Sequence, residues 1–342
     1  MGDDTVSCRQ RPLWRSERSG KGRMLDGGSV NPTVSRQPML VRQLAVLWLF
    51  VVAVGCDRPP QTPAVGTQEP ARLTVAVSIL PEAWLVQQIG GSEVRVVTLV
   101  RPGESAELYQ PTDAQIQEVM HASVYFPVGM PFESGRAFQA IRDSHRLQVV
   151  ELRQGIPLRE MVPHSHAGAE AGAHAEAAES KDPHIWLSPR LLKLEAATIA
   201  HALEWIDAEH QETYRQNLAA LVKKLDRLDD RVRRKLAPLR GKTFFVYHPA
   251  WGYFADEYGL RQVPIEIEGK EPTDAELTEL QREVRREKAR VIFAQPQTPQ
   301  RAVRAIIQSV GSIRMSILDD LDPDPSAAIQ RAADEIAQSA GS

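Results

Sequence analysis

Four residues in this chain combine a metal-binding side chain with a position just beyond strand-like sequence. Glu107 follows "VRVVTLV" and a Pro-Gly turn, His184 stands in "KDPHIWLSP", and His248 ends "TFFVYH". Asp319 comes directly off "RMSIL", with Asp320 and Asp322 close behind; Asp319 is preferred because it leaves the strand first. In open parallel sheets, ligands sit in the crevice beyond the carboxyl ends of the strands. Two imidazoles and two carboxylates on four such loops can converge on one cation, and together they neutralise a divalent charge. A mixed nitrogen and oxygen set holds zinc tetrahedrally and also suits the harder manganese ion; at equal availability zinc wins on intrinsic affinity. A zinc hydrolase would keep a coordination position open for water beside a general base, and no HExxH pattern occurs here.

Other residues stand around these four. The tract 163–182, "PHSHAGAEAGAHAEAAESKD", has almost no large apolar side chain and reads as a surface loop. Its His164, His166 and His174 are candidates for auxiliary zinc capture. Glu266 and Glu268 leave a strand near the expected cleft, in position to support a ligand rather than to bind the ion. Trp84, Trp186, Trp205 and Trp251 read as core residues, and Trp186 is also placed to shield a bound metal.

The elements that must position these groups alternate in type. Strand-like runs at 73–79, 94–100, 124–129 and 147–152 are separated by helical stretches, of which 112–122 carries Ile116, Val119 and Met120 on one face. After the loop, "SPRLLKLEAATIAHALEWI" forms an amphipathic helix with Ser188 as cap and Pro189 in its first turn. Residues 210–236 hold no Gly or Pro, and Tyr214, Leu218, Leu221, Leu225, Leu228 and Val232 recur at helical spacing. Beyond Gly241 the alternation restarts, with Thr273 and Glu276 as a capping box and a closing helix from about 325 to 338. The pattern predicts two Rossmann-like α/β lobes with parallel sheets, 72–209 and 238–342, joined by one long helix at 210–237, with the metal site in the cleft between them.

The 342 residues carry a formal net charge of −3, which leaves no broad basic field for nucleic acid. Residues 1–38 are rich in Arg, Ser, Gly and Pro and read as a disordered or untranslated extension, with Met39 as the expected start. Residues 39–56 read as a signal peptide: Arg42, an apolar run from Leu44 to Gly55, then Ala53-Val54-Gly55-Cys56. Small residues before a cysteine suggest a lipoprotein cleavage site, with lipid on Cys56. Residues 57–71 form a Pro-rich tether. Cys8 and Cys56 are the only cysteines, so the mature chain has no internal disulfide.

Six segments carry a resemblance. "QQIGG", "RPGESAELYQPT", "DPHIWLSP", "YHPAWGYFADEYGL", "IEIEGKEPT" and "SILDDL" are similar to motifs of the zinc/manganese solute-binding lipoproteins of bacterial ATP-binding-cassette importers, and the likeness spans nearly all of 72–338. A histidine-bearing insertion before the second ligand is typical of the zinc members. The resemblance implies an exported, lipid-anchored, monomeric binding protein that captures an ion and delivers it to a permease with its ATPase, performing no chemistry on it. It places ligands at His184, His248 and Asp319. Its first ligand is usually a histidine two residues before the tyrosine, where this chain has Glu107 ahead of Tyr109. Some relatives are named for adhesion. The family's stiff linking helix implies that closure of the lobes is small.

Overall fold

Among the described residues, eight short strands rich in Val, Ile and Phe build two parallel sheets. The structure, a computed structural model, describes residues 72–144, 146–161, 181–266, 273–298, 300–310 and 313–341. Cys56, His164, His166, His174 and Glu268 lie outside the described residues, as do the expected extension, signal peptide and tether.

The first sheet comprises β1 (Leu73–Val77), β2 (Val94–Thr98), β3 (Val124–Phe126) and β4 (Gln148–Val149), in the order β2-β1-β3-β4. The second comprises β5 (Thr243–Val246), β6 (Arg261–Pro264), β7 (Val291–Ala294) and β8 (Arg314–Ile317), in the corresponding order β6-β5-β7-β8. Every strand pairing is parallel. The strands end one to four residues before the runs read from sequence, because the last residues of each run already belong to the loops.

The connecting helices are α1 (Leu80–Gly90), α2 (Asp113–Met120), α3 (Arg136–Asp143), α4 (Pro189–Ile206), α5 (Gln211–Leu236), α6 (Gly252–Tyr258), α7 (Asp274–Arg286), α8 (Gln300–Val310) and α9 (Pro325–Gly341). The expected capping box of Thr273 with Glu276 forms, and Thr112 with Gln115 forms a second one. At the end of α1, Gly90 packs so close to Val94 that an added Cβ would stand 2.4 Å from its methyl groups, which explains the small residue there.

Period-two alternation sends one face of each sheet into a shared core. Val75, Val77, Val124 and Phe126 of the first sheet join Phe244, Val246, Val291 and Phe293 of the second in one continuous apolar cluster. Their neighbours Ala76 and Tyr125, and Phe245 and Ile292, face two separate smaller clusters. The 26-residue helix α5, about 39 Å long, buries Tyr214, Leu221, Leu225, Leu228, Val232 and Leu236 in the shared core; it joins the two lobes. A single core running through both lobes and the linking helix leaves little slack for a hinge. Among the described residues no helix is long and apolar enough to cross a membrane.

The tryptophan expectations hold in part. Trp186 and Trp251 are fully buried and Trp84 is half-buried. Trp205 is 75% exposed, because it closes the last turn of α4 on the face turned away from the core.

Candidate metal centre

All four candidate ligand loops leave the carboxyl ends of strands or the segment that feeds α4. Glu107 lies in the β2–α2 loop, anchored by Tyr109, whose hydroxyl donates to the Leu99 carbonyl at 2.8 Å and accepts from Gln115. His184 precedes a single 3₁₀ turn, Ile185–Leu187, and α4 starts at once behind it with the Ser188 hydroxyl accepting from Leu191 N–H at 3.2 Å. His248 follows β5, and Gln262 of β6 braces its turn by accepting from Trp251 N–H and donating to the Pro249 carbonyl.

Glu107, His184 and His248 meet, with one potential ligand atom each inside a 4.8 Å group. The two Nε2 atoms are 3.2 Å apart, and Glu107 Oε1 stands 3.4 Å from that of His248 and 3.9 Å from that of His184. Ligands about 2.0–2.1 Å from a tetrahedral zinc stand roughly 3.3 Å from one another, so the three atoms already span the edges of such a shell.

The far sides of the rings fix which atoms face inward. Asp182 Oδ1 accepts from Nδ1 of His184 at 2.7 Å and from its backbone N–H at 3.0 Å. Glu266 takes Nδ1 of His248 in the same way. An ionised carboxylate only accepts, so both Nδ1 atoms carry hydrogen, and the Nε2 atoms are the ones left to face Glu107 and each other. Such carboxylate–imidazole pairs are the usual support of metal-binding histidines.

The three aspartates offered for the final carboxylate differ in their surroundings. Asp319 is half-buried and its Oδ1 is taken by Leu321 N–H at 3.0 Å. Asp322 accepts from Asp324 N–H and pairs with Arg331. Asp320 is the buried one, 1% exposed, with neither oxygen hydrogen-bonded among the described residues. It interacts electrostatically with Glu107, His248 and His184. Its own carbonyl accepts from Trp186 Nε1–H at 2.6 Å, and the Trp186 ring lies 5.1 Å from that of His184. Trp186 therefore ties the Asp320 loop to the His184 loop. Of the three, Asp320 is the aspartate that is buried and shares its electrostatics with all three clustered residues, although it is outside their 4.8 Å group.

These contacts set the charges. Burial works against the charged form of His184, but Asp182, Glu107 and Asp320 outweigh it and push the imidazole up to about 10. Burial likewise raises the Glu107 carboxyl, and the imidazoles of His184 and His248 more than offset it, holding Glu107 at about 2. Asp320 is pushed up to about 6, chiefly by burial and then by the Glu107 charge. His248 lies above the ordinary imidazole value: burial depresses it, and Glu266 more than compensates. Three potential ligand atoms beside a buried carboxylate without a hydrogen-bond donor form an arrangement that a cation completes once it displaces the proton on His184.

Residues 75–337 match the sequence profile of the family described as "Zinc-uptake complex component A periplasmic". The chain belongs to this family. Within this zinc-uptake component A family it is 27% identical, over 283 residues, to the high-affinity zinc uptake system protein ZnuA of Brucella abortus, spanning 72% of this chain and 83% of that one. A crystal structure of ZnuA superposes with a TM-score of 0.71 at 33% identity, covering 79% of this chain and 99% of the other. A zinc-bound ZnuA deletion mutant superposes with a TM-score of 0.67 at 32% identity, over 79% and 98%. The two-lobed architecture with its linking helix is that of the zinc-uptake component A family.

Two supporting residues escaped the sequence reading. Asp182 had a local signal: an Asp two residues before a His can accept that residue's N–H in a tight turn and reach its ring. Arg159, which pairs with Asp182 at 3.1 Å, had none, because its partner is brought to it only by the fold.

Proposed function

We propose that this protein captures one zinc ion between Glu107, His184, His248 and Asp320 and delivers it to the permease of an ATP-binding-cassette importer. The observation that carries the reading is the convergence of two imidazole Nε2 atoms and a carboxylate oxygen at 3.2–3.9 Å, with each Nδ1 committed to a carboxylate behind it. The ion is cargo. Four protein donors fill a tetrahedral shell and leave no position for a reacting water, so the site suits binding and release rather than hydrolysis. Zinc is favoured over manganese by the two nitrogen donors, by the short separations and by the zinc named in the family description. Export, lipid attachment at Cys56, action as a monomer and zinc collection by His164, His166 and His174 complete the proposal.

Loading the metal-free protein tests it. Zinc should bind at one ion per chain. Asp320→Ala should weaken binding by roughly 10–100-fold, the range for losing a supporting or weak ligand, while Asp319→Ala should stay within about threefold. The reverse ranking would return the fourth position to Asp319.

Binding should also expel protons. At pH 7 the metal-free site holds a proton on His184, whose value near 10 lies above the ordinary one, and the ion must displace it. Zinc affinity should therefore rise about tenfold per pH unit near neutrality. The sign for the metal-free fold is opposite: a raised imidazole contributes stability that is complete below its unfolded value and is lost as pH rises through about 10. Titration calorimetry in buffers of different ionisation enthalpy reads the protons directly, and a heat independent of buffer would contradict the assignment.

A further inference from the structure

Arg159 sits where the supports of both histidines meet. It lies on the chain that leaves β4, and Asp182 lies on the returning segment just ahead of His184. The two segments are joined by Asp182 N–H donating to the Arg159 carbonyl at 2.9 Å and by the Glu160–Lys181 bridge. The Arg159 guanidinium pairs with Asp182 Oδ2 at 3.1 Å, the oxygen left over after Oδ1 has taken His184. On its other side the same group pairs with Asp256 of α6 at 3.0 Å. Tyr253 of α6 completes the join: its hydroxyl donates to the Asp182 carbonyl at 2.9 Å and accepts from Arg159 N–H at 3.2 Å.

Helix α6 is the element that starts four residues after His248. The Arg159 side chain runs over its first residue, Gly252, so closely that an added Cβ would lie 1.5 Å from Nη1 and 2.9 Å from Asp182 Oδ2. Gly252 has no positive φ, so room for Arg159 is the reason for glycine there.

We propose that Arg159 is a positioning residue that sets the separation of the two histidine ligands, holding His184 through Asp182 and the His248 segment through the start of α6. This rests on the zinc site proposed above. Arg159 reaches no ligand atom itself. Its guanidinium hydrogen-bonds Asp182 of one lobe through Nη1 and forms an ion pair with Asp256 of the other through Nε, in a planar geometry that an ammonium does not reproduce. Moving it frees Asp182 Oδ2 and with it the ring that Asp182 orients, and it releases α6 from the loop base.

The test uses the full-length chain, loaded with zinc for affinity and dissociation rate and with cobalt for the visible ligand-field spectrum. Arg159→Ala should lower zinc affinity roughly 10–100-fold, speed dissociation and shift the cobalt bands, which report ligand geometry rather than folding. Gly252→Ala, which leaves every charge in place, should do the same by expelling the guanidinium, and it serves as the probe should Arg159→Ala fold poorly. In the double variant the two effects should not add, because the truncated side chain makes room for the new methyl group. Affinity within threefold and unchanged cobalt bands in both single variants would overturn the inference, and so would full additivity in the double variant. Should the unaltered protein bind no zinc, the site itself fails; an unaltered protein that binds beside variants that bind equally well fails this inference alone.

Discussion

His248→Ala is expected to lower zinc affinity by about 10²–10³-fold. Structural zinc sites bind with roughly 10–16 kcal/mol, so one of four ligands accounts for about 3–4 kcal/mol, and each 1.4 kcal/mol is a factor of ten. The loss has a second part. Glu266, whose carboxylate now takes Nδ1, is left facing the cleft without its donor. The remaining imidazole and carboxylate must then complete the shell with water. His201→Ala, exposed on α4 and away from the cluster, is the control and should bind as the unaltered protein does. Competition against a chelator of known affinity makes the measurement. An affinity for His248→Ala within threefold of the unaltered protein would remove His248 from the site and, with it, the nitrogen-rich donor set on which the preference for zinc rests.

Removing the metal should cost the fold several kilocalories. A ligand present at a thousand times its dissociation constant adds about 4 kcal/mol to stability, and at roughly 2–4 °C per kcal/mol for a chain of this order the melting point should fall by about 10 °C on chelation. The structure locates the effect. Asp320 is a buried carboxylate with no hydrogen-bond donor among the described residues, and the Nε2 atoms of His184 and His248 face each other at 3.2 Å. Without a cation these groups are reconciled by a proton on His184, held there by Asp182, Glu107 and Asp320. The zinc-dependent part of the stability should shrink as pH falls, because protons compete for the same lone pairs. Differential scanning with zinc and with chelator, at pH 7 and pH 5.5, reads both effects. Coincident melting curves would show that the cluster holds no ion.

Glu107 stands where the resemblance implies a histidine, and its neighbours orient it toward the cluster. Ser105 donates to Glu107 Oε2 at 2.8 Å, leaving Oε1 for the cluster. The Glu107 carboxylate brings a negative charge to the cluster, which His184 and His248 compensate.

Much of this protein is written locally. Alternating strand and helix patterns, the capping box of Thr273 with Glu276, the apolar stripe of α5 and the placement of Glu107, His184 and His248 after strands follow from residue type and spacing. They depend on backbone propensity and on burying one face of each element, and neighbours in sequence are enough to specify both. The tertiary structure decided the rest. Asp320 is buried while Asp319 is half-buried, and the turn after β8 that separates them is held by Leu321 N–H and by the Trp186 indole, 134 residues earlier in the chain. Trp205 stays in solvent because α4 packs another face against α1 and α5. Arg159 acquires its role only when Asp182, Asp256 and Gly252 surround it. The direction of a single side chain within a loop depends on partners that share no local pattern with it, and such partners meet only when the two lobes close on one core.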